Sequence, residues 1–238
     1  MRADPLLLPL AGAVPDAAVR RVVVGLNWTL VEAETGCGLA HTPERGAAGC
    51  RPLAGAGGLA GLGLRALAAL VAADNPVEAA IGLAAVNAAH NGPGTAREAA
   101  NGLDLFADIA AGTVVLGRFP GLETRLPGAR VVERDPRPGE VAEADAGPLL
   151  AAARGIVMTA SALLNGGVGR ALAQAAPDAR VALVGPGTPL APALHAAGIA
   201  ILSGLVVTDP DGAARAVAEA GAVKALAPFS RPVTLRRG

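Results

Sequence analysis

Tyrosine is absent from this 238-residue chain, and one tryptophan and three phenylalanines are its only aromatic side chains. With 52% of its residues hydrophobic, the core must be built from alanine, valine and leucine in close contact. Net charge is also missing: twenty basic and twenty acidic residues cancel. That removes the whole-molecule attraction expected of a nucleic-acid binder. The one basic cluster, Arg231 to Arg237, has no interleaved aromatics and reads as a solvated end. Two cysteines, Cys37 and Cys50, are too few for a disulfide scaffold and give no sign of export. No long apolar run survives uninterrupted. The most membrane-like window, Leu53 to Ala73, contains Arg65 and several glycines, so a buried helix is the better reading. The N-terminal apolar run is broken by Pro9 and carries Asp4, which is unlike a signal peptide. The cytoplasm is the expected location. The chain also lacks a serine in a nucleophile elbow, an HExxH helix, a Walker loop and paired CxxC motifs, so no nucleophile can be named.

What is present divides the chain. Arg20 to Ala33 is β-branched, with Gly25 to Asn27 as a turn, and Leu39 to Thr42 makes a third, short edge strand. Two helices follow this antiparallel meander. Leu59 to Ala73 presents leucines on one face, and Pro76 to Ala89 is capped by Asn75. Asn87 within the second helix is a polar group that burial obliges to find a partner. The glycine-containing stretch Gly92 to Asn101 marks a linker, which divides the chain into residues 1–94 and 95–238. Beyond it, apolar runs at Thr113 to Gly117, Arg130 to Glu133, Gly155 to Thr159, Arg180 to Val184 and Ile199 to Val207 alternate with alanine-rich helical stretches. Such alternation predicts an α/β fold with a doubly wound parallel sheet.

Ligands of open α/β sheets bind where the strands end. The turn at Gly117 to Gly121, with Phe119 and Pro120, lacks the GxGxxG fingerprint of a pyrophosphate site. Glu133 ends the second parallel strand, where a carboxylate can meet ribose hydroxyls or a ligand amine, or can be structural. Thr159, Ser161 and Asn165 precede a helix start. They could hold a small anion there or simply cap the helix. Gly185, Pro186, Gly187, Thr188 and Pro189 form a stiff loop aimed at the same crevice. Cys37, His41 and Cys50 offer thiolate and imidazole to a soft metal, although their spacing matches no closed zinc signature. His90 reads as a helix C-terminal cap and His195 as a core or surface histidine.

The stretches GLNWTLVEA (25–33), IGLAAVNA (81–88), VLGRFPGL (115–122), VVERDPRPGE (131–140), MTASALLNGG (158–167) and VGPGTPLAPALHAAGIAILSG (184–204) together resemble a prokaryotic family described as a putative heavy-metal chelation domain. The resemblance implies an N-terminal domain like that of enolase and a C-terminal Rossmann-like domain, with a site in the cleft between them. It points to Asn27, Trp28, Thr29, Asn87, Glu133, Thr159, Ser161, Asn165 and the 185–189 loop. Where the commonest family form has a hydroxyl residue in that loop this chain has Gly187, and where the family has INGT it has LNGG, so two hydroxyls are lost. The expected function is binding of a small polar ligand, either a heavy-metal ion or a metal chelate. One alternative is an enzyme acting on a small carboxylate or nucleotide-like substrate with Glu133 as acid or base. Another is a non-catalytic partner of a metal transporter or metalloenzyme. Homo-oligomer formation through the alanine-rich helices is compatible with either unit.

Overall fold

The computed structural model describes residues 3–44, 53–95 and 101–238. After a short helix α1 (Leu7–Gly12), strands β1 (Val19–Val24), β2 (Trp28–Ala33) and β3 (Gly36–His41) form an antiparallel sheet in that order. Helix α2 (Leu64–Ala68) and helix α3 (Pro76–His90) cover one face. Asn75 starts α3 as its sequence predicts, its Oδ1 accepting from the Val77 amide at 3.0 Å with Pro76 in the first turn. Small residues let α3 lie almost on the sheet: a Cβ built on Gly38 would stand 2.1 Å from the Ala84 carbonyl oxygen. The expected continuous helix over 59–73 is instead α2 flanked by two 3-10 turns, because Leu62 is extended and Gly63 restarts the helix.

The second sheet contains β4 (Thr113–Leu116), β5 (Arg130–Glu133), β6 (Val141–Ala142), β7 (Gly155–Thr159), β8 (Arg180–Val184), β9 (Ile201–Val207) and β10 (Ser230–Arg236). Their spatial order is β10-β9-β8-β7-β4-β5-β6, parallel except for β10 against β9. Counting β4 as the first strand, β6-β5-β4-β7-β8-β9 is the order of Rossmann sheets. Both faces are covered. Val114, Leu116, Ile156 and Met158 face one cluster with α5 (Gly147–Ala152) and α6 (Gly167–Leu172). Val115 and Val157 face another, with Phe106, Ile109 and the short α4 (Leu122–Arg125).

β10 corrects the reading of a solvated basic tail. Val233, Thr234 and Leu235 are buried, Pro232 sits in an edge strand that does not need its N–H, and Arg231 donates to the Pro93 and Thr95 carbonyls. The stretch after β7 does not run on as one helix, because Gly166 turns left-handed (φ 73°) between a 3-10 segment and α6.

The two sheets share packing. The first cluster runs from Leu7, Val31 and Ala40 through α3 to Leu163 and Leu190. On the opposite face of the meander, Leu30, Cys37 and Leu39 pack with Val207 and with Ala213 and Val217 of helix α7 (Pro210–Ala218). Helix α8 (Val223–Leu226) follows α7. No helix among the described residues is long and apolar enough to cross a membrane.

Candidate functional site

Four parallel strands, β4, β5, β7 and β8, release the chain along one rim. The exits of β4 and β7 are pressed together there. Gly117 has φ 95°, and a Cβ on it would lie 2.5 Å from Thr159 Cγ2, so only glycine allows β4 to turn away at this point. Above the rim opens a cleft of about 560 Å³. Phe119, Pro120, Glu133, Thr159, Ser161, Asn165, Gly185 and Pro186 line it, all expected from strand-end position. Trp28 and His41, cross-strand partners in β2 and β3, contribute from the meander. Their rings meet edge to face with centroids 5.9 Å apart. Partial desolvation lowers the pKa of the His41 imidazole below its ordinary value, against the opposing pull of Glu44.

The carboxylate at the end of β5 stands in a network that sequence spacing does not reveal. Arg118 Nη1 lies 3.7 Å from Glu133 Oε1, outside hydrogen-bond distance. The guanidinium is gripped by Glu140 instead, with Nε donating to Oε1 at 2.8 Å and Nη2 to Oε2 at 2.6 Å, while Nη2 also donates to the Asp135 carbonyl. Arg118, seconded by the Arg137 amide, holds the Glu140 carboxyl down to about 2. Thus the turns after β4 and β5 are tied together at the cleft mouth. Arg118, Arg125, Arg134, Glu143 and Asn101 also line the cleft and were not expected from the sequence. Arg118 alone carried a signal, as a charged residue in the turn after β4.

On the β7 side, Thr159 and Ser161 hydroxyls are 3.2 Å apart. Asn165 Oδ1 accepts from the Gly167 amide at 2.9 Å, a local turn bond at the residue before Gly166, which is the N-cap of α6. The helix end beyond it is not open to an anion. Asp4, only 2% exposed, places Oδ2 2.6 Å from the Gly169 amide of α6. A carboxylate from the N-terminal segment therefore already occupies the place where an anionic ligand was anticipated.

The 185–189 loop divides in function. Gly185 and Pro186 face the cleft, whereas Gly187, Thr188 and Pro189 are buried beneath α3. Asn87 Nδ2 donates to the carbonyls of Leu39 (2.7 Å) and Gly187 (2.9 Å). One turn later, Asn91 Nδ2 donates to Thr188 O and Leu205 O, and its Oδ1 accepts from the Leu190 amide. Asn87 and Thr188 are therefore interface residues supporting the cleft wall, outside the cleft lining. Thr29 is fully buried with its hydroxyl on Thr42, and Asn27 Nδ2 binds the Ala220 carbonyl, so neither lines the cleft.

The soft-metal trio does not assemble among the described residues. Cys37 and His41 stand four residues apart on one strand, roughly 13 Å along it. Cys37 is 3% exposed, and burial pushes its thiol up to about 12. Cys50 lies outside the described residues. No group of three or more His, Cys, Asp or Glu side chains among the described residues is placed to hold a metal ion. His195 Nδ1 bonds the Ile199 carbonyl at 2.7 Å, and His90 is half-buried at the end of α3.

Two family models match the chain. DUF364, described as "Putative heavy-metal chelation", matches residues 101–236, and DUF4213, with the same description, matches residues 9–90. Among solved structures, a protein of unknown function from the DUF364 family of Desulfitobacterium hafniense DCB-2 is similar along the chain. It has 31% identity, covers 98% of each chain and has a TM-score of 0.86. A protein of unknown function from the same family in Pyrococcus horikoshii has 18% identity, 98% coverage of each chain and a TM-score of 0.78, a likeness of fold. No curated protein matches.

Proposed function

The chain belongs to the DUF364 family described as putative heavy-metal chelation, and from that premise we propose that it binds a small polar ligand carrying a metal ion as a chelate. The cleft between the meander and the parallel sheet is the proposed site. The observation that carries this reading is the convergence on one opening of Glu133, Thr159, Ser161, Asn165 and Gly185 with Trp28 and His41 from the other sheet. Its volume of about 560 Å³ suits a small organic molecule. A bare ion needs three or four protein ligands. The described cleft supplies the Glu133 carboxylate, the Glu143 carboxylate already accepting from Arg170 at 2.6 Å, the His41 imidazole and neutral oxygens, a mixed set suited to completing the shell of a divalent transition-metal ion whose other positions are filled by an organic chelator.

We place the division between units near residue 95, with 1–94 and 95–238 on either side, a reading supported by the bounds of the two family matches. Low cysteine usage supports a cytoplasmic location.

Calorimetry with cobalt(II), zinc(II) and copper(II), each alone and each as its citrate complex, tests the reading. Saturable heat with a citrate complex, reduced in both Glu133→Gln and Asn165→Leu, is expected. Tight binding of the free ions, indifferent to both substitutions, would place the metal elsewhere.

A further inference from the structure

The cleft lies at the point where the order of the parallel sheet reverses, between β4 and β7. In sheets of this order, ligands enter that crevice, and a carboxylate ending the second strand accepts hydrogen bonds from ribose hydroxyls. Glu133 is that residue: it ends β5, lines the cleft, and keeps Arg118 at 3.7 Å, beyond hydrogen-bond distance. The half-buried Phe119 is the main apolar side chain presented at this end of the cleft, and the buried Leu103, Leu116 and Val132 reach its lining from the two faces of the sheet, giving an apolar wall of the kind a base can occupy.

What distinguishes this cleft from a dinucleotide site is that its phosphate-binding positions are filled by the chain itself. The turn after β4 is packed on Thr159 through Gly117, and the helix that follows has only four residues. Arg118, at that turn, is held in a two-point pair by Glu140. Arg125 is paired with Asp104 at 2.5 Å, and Arg134 also has an interaction partner. The second helix start on the rim, that of α6, carries the Asp4 carboxylate on the Gly169 amide. A phosphate placed at the start of α6 meets that carboxylate, and one placed at the turn after β4 finds only a four-residue helix and an Arg118 already paired with Glu140.

We infer that the β5 side of the cleft binds an unphosphorylated nucleoside, its ribose diol on Glu133 and its base against the apolar wall. This rests on the cleft being a ligand site and is independent of whether that ligand carries metal. It also explains why the usual glycine fingerprint is missing while the ribose-binding acid is kept: the former serves pyrophosphate, the latter serves the sugar.

Titration calorimetry on the full chain, as purified and again with EDTA present, tests it with adenosine, guanosine, cytidine, uridine, 2′,3′-dideoxyadenosine, AMP and NAD. At least one ribonucleoside should bind, adenosine being the first choice, in both conditions. Removing the diol should weaken binding about 10- to 100-fold, the loss expected for hydrogen bonds to a charged acceptor. Glu133→Gln should weaken adenosine to a similar degree while leaving dideoxyadenosine unchanged, and AMP should bind more weakly than adenosine. Phe119→Ala, which leaves Glu133 in place, should weaken adenosine and dideoxyadenosine by the same factor. The inference is overturned if no ribonucleoside gives heat, if AMP or NAD binds more tightly than adenosine, or if Glu133→Gln affects both adenosines equally. Because EDTA removes metal, nucleoside binding without any metal–citrate binding would sink the metal reading and leave this one standing, and the reverse pattern would do the opposite.

Discussion

Replacing Asn91 by alanine should loosen the cleft wall from behind and lower stability measurably. Asn91 is 1% exposed and makes three hydrogen bonds across the interface: to Thr188 O at 2.9 Å, to Leu205 O at 3.3 Å, and from the Leu190 amide at 2.9 Å. Alanine leaves the buried Thr188 carbonyl and Leu190 amide without these bonds, and the part-buried Leu205 carbonyl without its contact. At roughly 1 kcal/mol for each lost bond, the cost is about 2–3 kcal/mol, the lower figure with the longest bond discounted and the upper with it counted. In a chain of this length that lowers the melting temperature by about 4–12 °C. Asn91→Asp separates the causes. It keeps the acceptor for Leu190 but turns a negative carboxylate toward two carbonyl oxygens in a buried site, so it should melt below Asn91→Ala. Differential scanning calorimetry, with circular dichroism to confirm the fold, reads both. A melting temperature for Asn91→Ala within about 2 °C of the parent would refute the reasoning, as would an aspartate variant more stable than the alanine one.

Other consequences follow from the same structure. Gly38→Ala drives a Cβ to 2.1 Å from Ala84 O and 2.2 Å from Ala88 N, backbone atoms of α3 that cannot step aside singly; the urea midpoint should fall by the equivalent of about 3 kcal/mol or more. In a Cys50→Ser variant, Cys37 should resist Ellman's reagent in mildly alkaline buffer and react fully in guanidinium, because burial keeps its thiol protonated up to about 12; rapid native labelling would contradict its placement. The Glu140 carboxyl is depressed from 4.5 to about 2 by Arg118, so its contribution to stability is present above 4.5 and disappears as pH falls through about 2. Glu140→Gln should therefore flatten the acid limb of a stability–pH profile in that window, and added salt should do so in part, since the pair is exposed to screening.

Most parallel strands were legible because TVVL, RVVE, GIVMT and RVALV are short β-branched or aliphatic runs bounded by glycine, proline or charge, whereas the two-residue β6 was too short to show; the start of α3 was legible because Asn-Pro at its head has a single good use. β10 was not, since its two flanking arginines dominate the composition while the burial of Val233 and Leu235 depends on β9. The strand-end rule located Phe119, Pro120, Glu133, Thr159, Ser161, Asn165, Gly185 and Pro186 on one opening. It did not reach Thr188, because nothing local indicates that the loop turns inward beneath a helix 100 residues earlier; Asn87, which the family resemblance pointed to, meets the expectation that burial obliges it to find a partner, on Gly187 O. The Asp4 cap on α6, joining residues 165 apart, lies beyond any pattern in either segment. Arg118 and Glu140 were each visible, but their pairing required the two turns to be brought together.

Whether the cleft is the ligand site is tested most directly by the emission of Trp28, the sole tryptophan, which lies in its wall beside His41. Titration with cobalt(II) citrate and with adenosine, each run in parallel with calorimetry, should give saturable changes in emission whose midpoints match the heats and shift together in Glu133→Gln. Heat without any change in Trp28 emission, unaltered by that substitution, would mean that the ligand binds elsewhere on the protein.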